Sequence, residues 1–353
     1  MASNYISLED GYKLQFLDLG VKTFLQKIIL LYGETGSGKS VIIRNLIRIL
    51  TMGDVVPVVV VIAPTDDSNS MYTGIVPKQL IFHRPTVELL ESIYARQEYV
   101  SALYKTVSER ANLKRVFDMC DDRNAVMLER NINLIADNAL SSLRGMKDGF
   151  ARERERDQIE EGRNMRLKEL YKDIIKKNRD NLLANKARLT EDECVVVEFI
   201  ELNPNLLLIL DDCASDKAWQ KSEVVCKLFY QGRNYYFTSV ISFQGDKDLS
   251  PNIRRQGHIA MFTTPESATA YFTTKTNGYS KEHIKRAEKI IGKIFASSEG
   301  PSHIKLVTIR GSPDPFRIFT AKKYDKFDTC DPYVREFCNG LKPKKKPITT
   351  YKT

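Results

Sequence analysis

Residues Gly33 to Ser40 read Gly-Glu-Thr-Gly-Ser-Gly-Lys-Ser, a pattern suited to holding phosphates. In such a loop the backbone N–H groups and the N-terminus of the following helix surround the phosphates. Lys39 reaches the β and γ oxygens, and Ser40 offers its hydroxyl to Mg2+. The glycines let the backbone approach the ligand closely and adopt φ values closed to other residues. The candidate ligand-binding set is Gly33, Glu34, Thr35, Gly36, Ser37, Gly38, Lys39, Ser40 and Val41, and the expected ligands are ATP and Mg2+. Further along, the apolar run Leu206 to Leu210 ends in the pair Asp211-Asp212. Asp211 is expected to join Ser40 in holding the metal, and Asp212 to polarise an attacking water. A helix-capping or turn pair is the alternative reading of two aspartates after a strand. Gln244 closes another apolar run, Tyr235 to Phe243, where an amide can both donate to and accept from a water in line with the γ-phosphorus. Arg233 precedes that run, and Arg254 and Arg255 follow the loop after it. Each is a candidate arginine finger, planar and permanently charged.

This chemistry needs strands that end together. Lys27 to Tyr32, before the loop, is apolar and strand-like, and Val41 to Leu50, after it, has a helical pattern. Val55 to Ala63 reads as a second buried strand with Pro57 near its start, and Leu206 to Leu210 as another. Cys194 to Ile200 and Ile259 to Thr263 also read as strands, and Ser280 is placed to cap a helix carrying Ile284, Ala287, Ile291 and Ile294. From Pro85, which can open a helix, the pattern changes to about a hundred residues almost free of Gly and Pro. Leu167, Leu170, Tyr171, Ile174, Ile175, Leu182 and Leu183 follow helical spacing there. Residues 151–190 hold twelve basic side chains against eight acidic ones, the pattern of a solvated helix face with DNA contact as a candidate role. The organisation expected is an α/β core in two parts, 1–85 and 191–325, a charged helical insertion over 86–190, and a basic tail over 326–353. Lys342, Lys344, Lys345, Lys346 and Lys352 in that tail suit an electrostatic contact and read as disordered.

With 353 residues, 42% apolar and 28% charged, the chain has the composition of a soluble globular protein. Its formal charge of +9 favours a polyanionic partner, nucleic acid before membrane. The six cysteines show no C-x-x-C pair and no metal-ligand spacing with the four histidines, which points to free thiols in a reducing compartment. Residues 1–10 lack the apolar stretch of a signal peptide, and no run is long enough to span a bilayer, so the expectation is a soluble intracellular protein. Trp219, His83 and the pair Cys330 and Cys338 read as structural.

The loop at 33–40, the segment Asn203-Pro204-Asn205 through Asp212, the strand from Arg233 to Gln244 and Leu249-Ser-Pro-Asn-Ile-Arg254 together resemble the FtsK–HerA ATPases. Within them the closest resemblance is to the genome-packaging ATPases of nucleocytoplasmic large DNA viruses, the poxvirus, iridovirus, mimivirus and asfarvirus group. Ile62-Ala-Pro-Thr65 and Tyr72-Thr-Gly-Ile-Val-Pro77 look like that viral branch too. The resemblance covers about 27–85 and 195–275, and neither the insertion nor the tail. It implies an additional-strand P-loop core with a mainly parallel sheet, in which the Gln244 strand lies between the strands of the phosphate loop and of Asp211. It further implies that Gln244 sits beside the γ-phosphate and that Arg233 acts on a neighbouring subunit. Two departures stand out: Asp212 is where cellular relatives usually carry Glu, and Asn234 is where some carry a histidine. The function implied is an ATP-hydrolysing, homo-oligomeric ring that moves double-stranded DNA, without sequence preference, into a viral capsid. It would meet capsid or portal-vertex proteins in the virion and in the host cytoplasm. A capsid-binding scaffold with weak hydrolysis and a small-molecule phosphotransferase are the alternatives.

Overall fold

The computed structural model describes residues 5–66, 70–213, 219–245, 248–295, 304–322, 324 and 327–341. The basic run at 342–346 and Lys352 lie outside the described residues. The chain divides into two compact units, 1–97 with 204–353, and 98–203.

In the first unit a short hairpin, β1 (Tyr5–Ser7) and β2 (Lys13–Gln15), precedes the strand β3 (Ile28–Tyr32) that feeds the phosphate loop. The other strands are β4 (Val58–Ile62), β5 (Ile81–Phe82), β6 (Leu206–Asp211), β7 (Phe237–Phe243), β8 (Ile259–Phe262), β9 (Ile304–Ile309) and β10 (Phe316–Thr320). They form one sheet in the order β10-β9-β8-β3-β7-β6-β4-β5. The strands from β8 to β5 in that order are parallel, and β9 and β10 add an antiparallel edge. The fold is therefore α/β with a P-loop core, and β7 is the additional strand between β3 and β6. Continuous apolar runs suit this sheet because both faces are covered. Leu30, Val60 and Leu208 face one core, whereas Ile29, Val59 and Leu207 face the other, the alternation that a pleated strand imposes. Register brings the strand ends together: Tyr32 pairs with Phe243, and Ser242 with Asp211.

The second unit is helical. Arg110–Asp118, Arg123–Ser142, Gly149–Lys177, Arg179–Ala184 and Glu191–Glu198 are its main helices after the one that begins at Val87. Leu167, Tyr171, Ile174, Ile175 and Leu182 of the expected stripe are buried with Leu113, Val116 and Phe117, each such side chain contributing about 1.5–3 kcal/mol.

Three expectations change. The run Cys194 to Ile200 is not a strand; Glu191–Glu198 is a helix started by a capping box. Thr190 Oγ1 accepts from Glu193 N–H at 3.4 Å and Glu193 Oε2 accepts from Thr190 N–H at 2.8 Å. The valines then bury against other helices, so the cap and tertiary packing override their strand propensity. For the same reason the helical unit spans 98–203 rather than 86–190. At its other boundary, Leu90, Ile93 and Tyr94 of Val87–Ser108 belong to the core of the sheet. The cap of that helix is Thr86, whose Oγ1 accepts from Leu89 N–H at 3.3 Å, and Pro85 lies before it. In the stretch expected as tail, Pro332–Gly340 is helical, with Asp331 accepting from Tyr333 N–H at 2.8 Å.

Candidate active site

The phosphate loop leaves β3 at Gly33, whose N–H donates to Phe243 O at 3.2 Å. A side chain is excluded here by contact: a Cβ on Gly33 would stand 1.6 Å from Thr263 Oγ1 and 2.7 Å from Ser37 Oγ. Gly36 and Gly38 take φ of 80° and 96°, values that strain any residue with a Cβ. The helix Lys39–Thr51 starts directly after them, so its unpaired N–H groups open onto the loop. Ser40 and Val41 stand in that first turn, and Val41 N–H donates to Gly38 O at 3.1 Å.

Lys39 is buried, and its ammonium donates to Gly33 O at 2.6 Å and Glu34 O at 3.3 Å. Asp212 Oδ1 lies 3.6 Å from it. The loop is braced from outside by two strands that sequence reasoning did not connect with it. Thr263, at the end of β8, places Oγ1 2.5 Å from Ser37 Oγ and donates to Tyr32 O at 3.1 Å. Lys305, on β9, donates to Ser37 O at 3.4 Å, and burial holds its pKa below the usual lysine value.

Asp211 ends β6, only 6% exposed. Ser242 Oγ donates to its Oδ1, and the Tyr72 hydroxyl donates to Oδ2 at 2.8 Å. Burial raises its pKa above the ordinary carboxylate value and the nearby Asp212 adds to that, while both hydrogen bonds and Lys39 oppose the rise. Asp212 sits at φ 51°, in the left-handed region that Asp tolerates better than most residues. Its N–H donates to Ser242 Oγ at 3.2 Å, and its Oδ1 is buried without a hydrogen-bond partner. Gln244 follows β7 directly and its amide donates to Thr35 Oγ1 at 3.2 Å. The structure therefore brings Gly33 to Val41, Asp211, Asp212 and Gln244 to one edge of the sheet.

A cavity of about 410 Å³ opens between the loop and the two aspartates. Its far wall is Thr65, Asp66, Met71 and Tyr72. These residues join β4 to β5, and no spacing in the sequence ties them to the loop; the signal was the resemblance at Ile62 to Thr65 and at Tyr72 to Pro77. The oxygen-rich set of Ser40 hydroxyl, Asp211 carboxylate and Asp212 Oδ1, which is ion-paired with Lys39 but accepts no hydrogen bond, fits a hard cation such as Mg2+. Ser40 and Asp211 would hold it, and its charge would offset that developing on the β and γ oxygens.

None of the three arginines lines this cavity. Arg233 is exposed in the turn Gly232–Tyr235, before β7 starts, and so at the opposite end of the strand from Gln244. Seven strand residues separate the two, about 20 Å at ~3.3 Å per residue. It lines a separate cavity with Gln26, Asn234 and His258. Arg254 is 5% exposed, which does not present it to another molecule. Arg255 donates to Thr276 O at 3.5 Å. Trp219 is a core anchor, its Nε1 donating to Cys213 O at 3.0 Å. Cys330 and Cys338 are free thiols. Among the described residues no His, Cys, Asp and Glu group forms a metal-binding cluster, and no helix is long and apolar enough to cross a membrane.

No family model matches the chain. Over 303 residues it is 28% identical to the uncharacterised protein B354L of African swine fever virus (isolate Pig/Kenya/KEN-50/1950), a match covering 81% of this chain and 79% of that one. A stretch of 110 residues is 28% identical to the uncharacterised protein 015R of Frog virus 3, covering 31% of this chain and 33% of the other. Among solved structures, the DNA-packaging ATPase B204 of Sulfolobus turreted icosahedral virus is 13% identical, with a TM-score of 0.39 over 85% of this chain and 100% of its own. By sequence, the chain is a relative of uncharacterised proteins of asfarvirus, iridovirus and mimivirus.

Proposed function

We propose that this protein is an ATPase that works as a homo-oligomeric ring and drives double-stranded DNA into a viral capsid. The observation that carries the reading is the convergence of Lys39, Asp211, Asp212 and Gln244 on one sheet edge, with β7 between the strands of the loop and of the aspartates. Phosphoryl transfer to water asks a protein for positioning and charge stabilisation. Lys39 supplies charge to the β and γ oxygens, Ser40 and Asp211 hold Mg2+, and Asp212 and Gln244 orient the water. The ring reading is supported by Arg233, which is exposed and far from its own loop, so that its charge is available to a neighbouring copy. Viral relatives and a charge of +9 support a DNA-handling role in the virion and the infected cytoplasm.

The test is hydrolysis of ATP by the assembled protein with and without duplex DNA, over a range of salt. Turnover stimulated by DNA of any sequence, with stimulation falling steeply as salt rises, is expected, because contacts to phosphates release counterions. Hydrolysis indifferent to DNA at low salt overturns the motor reading. Lys39→Ala should abolish turnover, and near-normal rates in that variant overturn the site.

A further inference from the structure

Asp211 is buried at the end of a strand, and among the described residues each of its two oxygens accepts from a hydroxyl brought from a different part of the chain. Ser242 on β7 donates to Oδ1, and Tyr72, from the connection between β4 and β5, donates to Oδ2. Left alone, a carboxylate rotates over a broad range about its terminal torsion. Donors on both oxygens define its plane.

Tyr72 is held for this contact. It is 1% exposed, and its N–H donates to Asp66 Oδ1 at 2.9 Å. Its carbonyl accepts from Ile75 and Val76 N–H, both at 3.0 Å. Ile75 O in turn accepts from Thr329 N–H at 3.2 Å, Thr329 Oγ1 at 2.6 Å and Arg335 Nη2 at 3.0 Å. A tyrosine serving only to fill the core needs an acceptor as well. This one reaches past its own segment to the carboxylate beside the phosphate loop and lines the nucleotide cavity while doing so.

We propose that Tyr72 is a positioning residue: its hydroxyl, together with that of Ser242, fixes the plane of Asp211 and thereby sets the affinity of the nucleotide site for Mg2+. The proposal rests on the nucleotide-binding reading above. It is tested on the full chain with ADP as probe, by measuring ADP affinity in EDTA and then across a Mg2+ titration. In Tyr72→Phe the affinity in EDTA should stay within about twofold of the unsubstituted protein. The Mg2+ concentration giving half of the metal-dependent gain in affinity should rise about tenfold, the lower end of what losing a partner of a metal-holding side chain costs. Ser242→Ala should shift the same midpoint in the same direction and carries the test if Tyr72→Phe does not fold. An unchanged midpoint in a variant that binds ADP normally in EDTA overturns the proposal. If the unsubstituted protein binds no ADP at any Mg2+ concentration, the nucleotide-binding reading itself fails, a result distinct from the first.

Discussion

Gly33→Ala tests whether the brace of the phosphate loop is as close as the structure has it. The new Cβ would fall 1.6 Å from Thr263 Oγ1. Ordinary contact needs about 3.5 Å, so the loop and Thr263 must part by about 2 Å. Overpacking of this kind costs about 1–3 kcal/mol of stability. The larger effect is expected in function, because a displacement of about 1 Å at reacting groups can cost about a hundredfold in rate. Gly33 O is also an acceptor for Lys39, so the displacement reaches the ammonium directly. We expect kcat/KM for ATP to fall about a hundredfold, near 2.7 kcal/mol, with ADP affinity falling alongside. Removing the hydroxyl in Gly33→Ala/Thr263→Ala leaves the Thr263 Cβ, 3.0 Å from the new methyl, as the nearest atom of that residue. The double variant should therefore recover about tenfold of the loss, although Thr263→Ala alone costs about 0.5–1.5 kcal/mol of stability through its lost hydrogen bonds. Steady-state ATP hydrolysis and calorimetric titration with ADP read both effects. A Gly33→Ala protein within threefold of the unsubstituted one, or a double variant worse than either single one, would refute the reasoning.

Arg233→Ala should lose turnover and regain part of it when mixed with Lys39→Ala subunits, since each supplies what the other lacks; confirmed mixed assemblies with no recovery would place the finger elsewhere. His258 Nδ1 accepts from Ile28 N–H at 3.2 Å, and burial, then the charges of Arg233, Lys27 and Arg310, hold its pKa below 6.5. The folded state therefore takes up fewer protons than the unfolded one, and the stability involved is present above pH 6.5 and lost as pH falls through the folded pKa. His258→Asn, whose amide oxygen can take the same N–H, should flatten the decline in melting temperature between pH 7 and 5; an unchanged slope would remove His258 as its source. Thr190→Ala breaks the capping box and should cost about 0.5–2 kcal/mol in urea unfolding; a loss confined to Cys194 to Ile200 by hydrogen exchange would tie it to that helix.

The parts of the site that could be read in the sequence are those that local chemistry marks. A glycine-rich loop between an apolar run and a helix, and carboxylates at the end of another such run, need only their immediate neighbours to be recognised. Gln244 was legible for the same reason, at the end of β7. Thr263, Lys305 and Tyr72 were not, because each acts across the fold. Thr263 and Ser37 are 226 residues apart, and Tyr72 and Asp211 are 139 apart. The antiparallel edge of β9 and β10 was missed for a related reason: its short strands are interrupted by Lys305, Thr308 and Arg317 and only partly buried, a weaker signal than the solid apolar runs of the central strands. The strand expected at Cys194 shows the reverse failure, in which three consecutive valines outweighed a capping box spelled out by Thr190 and Glu193.

Both neighbours of β3 in the sheet come late. Ile28 pairs with Ser239 on one side, and Ile29 with Ile259 on the other. During synthesis at about 5–20 residues per second, the strand that carries the phosphate loop waits roughly 10–40 seconds for a partner. Meanwhile residues 98–203, a compact unit with an apolar cluster of its own, emerge complete. The newborn chain thus carries a folded helical unit behind an unpaired, wholly apolar strand, the kind of exposed edge that recruits chaperones or other copies of itself. Expression at low temperature with chaperones in excess is the condition under which an intact phosphate loop should be recovered.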